Sequence, residues 1–161
     1  MDLLRCLIFI ALMGILSFLA GRLLSKWLKP ETWKIFSCFA FERGGKLYDR
    51  IRIHDWQNKV PDMSKLFPGL IPEKAMTGTN TERLELMIHE TCIAELVHGL
   101  LCLGGFYCLH LWKGPGGLVL TVLNILGNLP FMLIQRYNRP RLVGLYDRQV
   151  KRAKRAKGVT P

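Results

Sequence analysis

Metal-binding cysteine pairs are absent from this 161-residue chain, and acidic residues are scarce. The five cysteines include no CxxC pair, so we expect free thiols, no metal site and no other cofactor. Only 12 Asp and Glu residues oppose 23 Lys and Arg residues. A nucleic-acid-binding domain would spread such positive charge over a polar fold. Here the basic residues lie between and after long apolar runs, which indicates an integral membrane protein beside anionic lipid and no nucleic-acid partner.

Three apolar runs are long enough to cross the ~30 Å hydrocarbon core of a bilayer as helices. They cover roughly residues 3–24, 93–112 and 117–134. A cleaved signal peptide is the alternative for the first run, but Asp2 offsets Arg5 and basic residues follow the run, which favours a retained anchor. Residues 113–116, Lys-Gly-Pro-Gly, predict a tight turn between the other two helices. We therefore expect an all-α integral membrane fold, a single domain over residues 1–161 with about three transmembrane helices.

The basic residues are distributed asymmetrically around these runs. Only Arg5 and Lys113 lie at the N-terminal end of the first run or in the predicted turn. All the others lie between Arg22 and Arg83 or after Ile134. The positive-inside rule then predicts a multi-pass protein of the cell membrane with its N-terminus outside and its C-terminus in the cytoplasm.

Residues 30–80 are expected to lie against the cytoplasmic leaflet. Their first part combines aromatic and basic side chains, as interfacial helices do, at Trp33, Lys34, Phe36, Phe39, Phe41 and Arg43. Gly44–Gly45 predicts a break, and prolines at positions 61, 68 and 72 predict an irregular path. We expect this segment to cover the mouth of the helix bundle. The basic tail, residues 142–161, is predicted to be solvated or to contact lipid headgroups.

Two ionisable residues, Glu95 and His98, fall within the second run. They are three residues apart and so share a helix face. Each ionisable residue in a span costs at least ~2.5 kcal/mol, which pairing would reduce. A carboxylate beside an imidazole also orients it as a general base; a structural polar pair is the alternative. Glu90, about 80° around the helix from His98, is a further catalytic candidate.

Two further features are predicted for the second and third membrane helices, a cap and a kink. Thr79 is predicted to cap the second helix, with Glu82 reaching back to form a capping box. In the third helix, Pro130 predicts a kink close to Asn128. Asn128 is therefore expected either to line a polar cavity or to make an interhelical hydrogen bond.

The most specific polar string directly follows the third run. Arginine forks suit phosphate and carboxylate groups. A topology signal would explain the arginines but not the amides and the phenol. We therefore treat the whole string as a candidate substrate-binding site, formed by Gln135, Arg136, Tyr137, Asn138, Arg139 and Arg141.

The chain resembles the glycosyl-4,4'-diaponeurosporenoate acyltransferase family in five motifs. These are Phe41-Glu42-x2-Gly45-Lys46, Trp56-x2-Lys59-x-Pro61-Asp62, Glu90-x4-Glu95-Leu96-x-His98, Asn128-x-Pro130 and the string from Gln135 to Leu142. The resemblance, over roughly residues 30–145, implies a membrane acyltransferase that esterifies a sugar hydroxyl of a glycosylated C30 carotenoid, the closing step of staphyloxanthin formation. It implies a fatty acyl donor, expected to be acyl-CoA, and a glycosylated isoprenoid or glycolipid acceptor within the lipid bilayer.

Chemistry suggests roles for these residues. His98, oriented by Glu95, would deprotonate the sugar hydroxyl, while the three arginines at 136, 139 and 141 would hold donor phosphates. Asn128, Tyr137 or Asn138 would stabilise the oxyanion. The residues alone leave open a small membrane methyltransferase or reductase acting on a lipid, or a non-enzymatic membrane interaction protein.

Overall fold

The structure, a computed structural model, describes residues 1–60 and 81–156. The predicted cap at Thr79, the predicted irregular path over residues 61–80 and the tail residues 157–161 lie outside the described residues. The helices are α1 (Asp2–Leu24), α2 (Ile53–Trp56), α3 (Thr81–Gly105), α4 (Cys108–Leu111) and α5 (Pro115–Ala156). Short 3₁₀ segments complete the described elements, and no strand occurs among them. The predicted all-α class is confirmed.

Three helical segments are long and apolar enough to cross a membrane. They cover Asp2–Leu23, Thr81–Leu111 and Pro115–Arg155, and an 18-residue stretch within each has a mean hydropathy of 2.5, 1.7 and 1.9, respectively. Many of their leucines are exposed on the surface of the protein, as lipid-facing side chains are, including Leu16, Leu103 and Leu123. The prediction of about three transmembrane helices is therefore confirmed, and the chain is a membrane protein.

Helices α3 and α5, which contain the second and third apolar runs, extend well beyond those runs. Helix α3 begins at Thr81, and α5 continues through Pro130 and Pro140 to Ala156. The described part of the predicted tail, residues 142–156, is thus a continuation of α5. Residues 145–156 are rich in good helix formers and contain no proline or glycine, so nothing in that stretch ends the helix.

The connector, defined here as residues 25–60, is a chain of short turns. Its 3₁₀ segments are Pro30–Thr32, Lys34–Phe36, Ala40–Ile51 and Gln57–Lys59. The predicted helical segment is present, but as short 3₁₀ turns and not as one continuous helix. The predicted break at Gly44–Gly45 is confirmed by positive φ angles at Arg43, Gly44 and Gly45, and the backbone turns again at Arg52. Tyr48 and Ile53 of the connector pack against Tyr137 in a small buried core, which fixes the connector on α5.

Helix α1 packs against α3 through small residues. A Cβ atom placed on Gly104 would lie 2.0 Å from Sδ of Met13, so a larger residue at this position would displace the Met13 side chain from the contact. Near its N-terminus α1 places Cys6 against Cys108, whose carbonyl oxygen lies 3.9 Å from the Cys6 sulfur. All five cysteines are free thiols, as predicted.

Candidate active site

Glu95 lies at the centre of a buried polar site between α3 and α5. Its Oε1 accepts a hydrogen bond from Nε of Arg136 at 2.6 Å, and its Oε2 accepts one from Nη2 of Arg139 at 2.5 Å. The two arginines are three residues apart on α5 and so share a helix face. Glu95 is only 5 % exposed, and pairing with two guanidinium groups offsets the cost of burying its charge.

Both arginines also bind the backbone of the connector. Arg139 donates from Nη1 to the carbonyl oxygen of Phe36 at 2.8 Å, and Arg136 donates to the carbonyl oxygens of Ile35 and Ser37. Arg139 further donates to the hydroxyl and the carbonyl oxygen of Thr91, each at 3.0 Å. These N–H groups are therefore used within the protein, which argues against the expectation that Arg136 and Arg139 hold donor phosphates.

Glu42 brings a second carboxylate from the connector to Arg136. Its Oε1 lies 3.4 Å from Nη1 of Arg136, and its Oε2 accepts a hydrogen bond from the Phe39 backbone N–H at 2.6 Å. The hydroxyl of Tyr48 also donates to Oε1. Burial, then the hydrogen bond and negative charge of Glu42, raise the pKa of Tyr48, so the phenol remains a donor. Glu42, Glu95, Arg136 and Arg139 together form the ion-pair network.

Aromatic rings cover the guanidinium groups of the ion-pair network. The Arg136 guanidinium lies 4.9 Å from the centre of the Phe39 ring, and that of Arg139 lies 5.4 Å from the Phe36 ring. Such cation–π contacts stabilise a cation shielded from water. The aromatic residues expected to form an interfacial helix thus serve partly to hold the connector over the arginines.

His98 pairs with Asn128 of α5, and the predicted pairing with Glu95 is wrong. Nδ1 of His98 lies 2.8 Å from Oδ1 of Asn128. Nδ2 of Asn128 donates to the carbonyl oxygen of Asn124 at 2.8 Å, which turns Oδ1 towards the imidazole. Nδ1 therefore carries the proton and Nε2 is the basic nitrogen. The Glu95 carboxylate instead binds Arg136 and Arg139 on the facing helix.

The imidazole is also held by its face. The rings of His98 and Phe131 are stacked, with centroids 4.5 Å apart and an interplanar angle of 8°. The expectation that Asn128 makes an interhelical hydrogen bond is confirmed by the same contact. Asn128 and Phe131 together fix one tautomer and one orientation of His98, which a general base requires.

The remaining candidate residues point in different directions because residues 135–141 are helical. Gln135 and Tyr137 are buried. Asn138 donates from Nδ2 to Oε1 of Gln57 at 3.1 Å, and Arg141 donates to Asp49 at 3.1 Å. Arg141 also lies over the ring of Tyr137, at 3.5 Å from its centre. The further catalytic candidate Glu90 lies on α3, outside this string, and is half-buried. The string therefore divides into the network arginines, the buried Gln135, and three residues that contact the connector, namely Tyr137, Asn138 and Arg141.

Sequence reasoning missed a histidine–carboxylate pair beside the ion-pair network. Nδ1 of His89 lies 2.7 Å from Oε2 of Glu31, at the start of the connector. No spacing rule could have found this pair, because 58 residues separate its members. Within residues 1–60 and 81–156, no group of three or more His, Cys, Asp or Glu residues is placed to hold a metal ion.

A pocket of about 320 Å³ opens between the connector and helices α3 and α5. Its charged lining comes from Glu31, Glu42, Arg136 and Arg139. Its remaining walls are largely apolar and come from Phe36, Ser37, Cys38, Ile88, Cys92, Pro140 and Val143. The pocket thus joins polar groups to an apolar surface at one end of the membrane helices.

Known proteins are similar to this chain over most of its length. The family described as glycosyl-4,4'-diaponeurosporenoate acyltransferase matches residues 25–148. The protein of that name from Staphylococcus aureus strain USA300 is 32% identical over 132 residues, which cover 79% of this chain and 76% of the relative. The relative from strain MRSA252 is 34% identical over 116 residues, which cover 69% and 67% of the two chains.

No solved structure matches the chain. The family match nevertheless includes the connector, α3 and the part of α5 that carries the network arginines. Because the similarity extends across most of this chain and of its relatives, the protein belongs to the glycosyl-4,4'-diaponeurosporenoate acyltransferase family and is an acyltransferase.

Proposed function

We propose that this protein transfers a fatty acyl chain from an acyl thioester, acyl-CoA, to a sugar hydroxyl of a glycosylated carotenoid or a related glycolipid. The relatives are named for a glycosyl-4,4'-diaponeurosporenoate substrate, which supports this acceptor class. The structural observation that carries the proposal is a fixed His98–Asn128 pair between two membrane helices, one helical turn from the ion-pair network. At this position the fatty acyl chain of the donor and the apolar chain of the acceptor can both remain in lipid, while the thioester and the sugar hydroxyl meet.

His98 is the proposed general base. Its Nε2 takes the proton from the sugar hydroxyl as the oxygen attacks the thioester carbonyl and forms the new C–O bond. The tetrahedral intermediate collapses with cleavage of the C–S bond, and the imidazolium returns its proton to the thiolate. Asn128 positions the ring, and its amide N–H is already bound to Asn124. Glu95 supports the site by holding Arg136 and Arg139.

We further propose that the protein is one membrane domain of the cell membrane, with its N-terminus outside and its C-terminus in the cytoplasm. The distribution of Lys and Arg supports this orientation, since the connector and the end of α5 carry most of the charge. The ion-pair network, the connector and the C-terminal end of α5 would then share the cytoplasmic side, where acyl thioesters are supplied.

The proposal is tested by acyl transfer in isolated membranes. Membranes containing the protein would receive acyl-CoA with an isotope-labelled chain and glycosyl-4,4'-diaponeurosporenoate, and the products would be identified by mass spectrometry. We expect a product heavier by one labelled acyl group, absent from membranes without the protein. No labelled acyl product with either this acceptor or a glycolipid would overturn the proposal.

A further inference from the structure

The pocket beside the ion-pair network has no excess of positive charge. Two carboxylates, Glu31 and Glu42, and two guanidinium groups, Arg136 and Arg139, line it, so these four charges cancel. Both arginines also bind Glu95, which adds a third carboxylate next to the pocket. An anion site needs a positive field or donors free to reach the ligand. The pocket therefore does not suit the phosphates of an acyl donor.

The size of the pocket points in the same direction. Ligand pockets typically measure about 300–1,000 Å³, and this one, at about 320 Å³, lies at the bottom of that range. A single ring with its hydroxyl groups fits such a volume better than a nucleotide. The Glu31 side chain is 35% exposed, and its carboxylate, which binds His89 through Oε2, can accept further hydroxyl donors. The wall that includes Phe36 and Val143 can contact C–H groups.

We propose that this pocket binds the sugar headgroup of the acceptor. This assignment rests on the proposed function, because it identifies which substrate occupies the pocket. The pocket residue on α3 nearest to the proposed base is Cys92, and His98 lies six residues further along, about 9 Å along the helix axis. Arg136 and Glu95 lie between them, because Arg136 lines the pocket and binds Glu95 one helical turn before His98. A sugar in the pocket is thus held on the same helix pair as the proposed base, with the apolar part of the acceptor free to extend along the helices.

Cys38 provides a native probe of occupancy, because it lines the pocket and is exposed. The protein in lipid nanodiscs would be treated with a maleimide, and modification of Cys38 would be followed by peptide mass spectrometry. The two probes would be octyl glucoside, below its micellar concentration, and octyl phosphate, which has the same chain and an anionic head. At ten times its Kd, octyl glucoside should slow labelling about tenfold, since the free fraction falls as 1/(1 + [L]/Kd). Octyl phosphate should have little effect.

A variant tests the carboxylate. Glu31→Gln should weaken protection by octyl glucoside several-fold, whereas Glu82→Gln, at an exposed site on α3, should not. Equal protection by both probes, protection by the phosphate alone, no protection, or an unaltered Glu31→Gln variant would each overturn the assignment. Protection without acyl transfer would leave the sugar site standing and reject the proposed function. Acyl transfer without protection would reject the sugar site and leave the proposed function standing.

Discussion

Nε of Arg136 lies 2.6 Å from Oε1 of Glu95, although 41 residues separate them in the chain. This contact connects the two longest helices, and the same guanidinium also reaches Glu42 and the backbone of the connector. Arg136 is therefore the residue through which α3, α5 and the connector are held together.

Loss of the Glu95 charge should destabilise the protein. In Glu95→Leu, two buried guanidinium groups lose their shared carboxylate, and breaking a buried pair in this way typically costs about 3–5 kcal/mol. Thermal unfolding in detergent and trypsin cleavage within the connector would measure the effect. The matched control is Asp49→Asn, which removes the exposed pair with Arg141 and should cost under about 1 kcal/mol. Similar losses in the two variants would mean that the network does not hold the connector.

Activity should depend on His98 more than on the other histidines. His98→Gln should lower kcat by about 10²–10⁴-fold, the usual contribution of a general base, while the exposed His110→Gln should change it little. Asn128→Asp keeps an acceptor for Nδ1 and should retain much more kcat than Asn128→Leu. Transfer rates normalised to folded protein would be compared. Normal kcat in folded His98→Gln protein would reject His98 as the base.

Gly45 should resist substitution more strongly than its neighbour Gly44. Both have positive φ, at +89° and +67°, so alanine is strained at either site, by roughly 1–2 kcal/mol. A Cβ on Gly45 would also lie 2.9 Å from Nη1 of Arg141 and 3.2 Å from the Tyr137 carbonyl oxygen, whereas one on Gly44 would meet nothing within 4 Å. Gly45→Ala should therefore unfold at a clearly lower temperature than Gly44→Ala. Equal unfolding temperatures would contradict the close contact with α5.

Tyr48 should make the protein sensitive to alkaline conditions. Its pKa is raised in the folded state, so above pH 10 the unfolded chain loses the phenolic proton first. The free energy of unfolding should not depend on the ionisation of Tyr48 below pH 10 and should fall as the pH rises towards the pKa of Tyr48 in the folded protein. Tyr48→Phe should flatten this alkaline decline, measured by thermal unfolding between pH 9 and 11, relative to Tyr107→Phe, which alters an exposed ring. An unchanged decline in Tyr48→Phe would rule out this linkage.

The proposed orientation can be tested in intact cells with an impermeant thiol reagent. In a Cys38→Ser background, Lys113→Cys in the turn should be labelled from outside, because α4 and α5 place it at the end opposite the connector. Lys46→Cys in the connector should be labelled only after the cells are opened. Both introduced positions are exposed in the structure, so access differs only through the membrane. Labelling of Lys46→Cys in intact cells would reverse the orientation.

Long-range hydrogen bonds mark the limit of what the sequence predicts here. The spans and the turn before Pro115 follow from local apolar runs and turn residues, and both are present. The partner of Glu95 depends instead on how α3 and α5 face each other, which helical spacing within α3 does not reveal. His98 was an equally good local partner, but arginines on the facing helix supply charge and several donors at once. The His89–Glu31 pair and the turns of the connector depend on the same tertiary arrangement.

The separation of Glu95 from its arginines also bears on how the protein is made. Glu95 is synthesised before Arg136, and at about 5–20 residues per second the 41 residues that separate them take about 2–8 s to synthesise. During that time Glu95 has no arginine from α5, so an α3 inserted alone would carry an unpaired carboxyl group in the membrane. Membrane integration of α3 is therefore expected to be completed together with α5, as a hairpin.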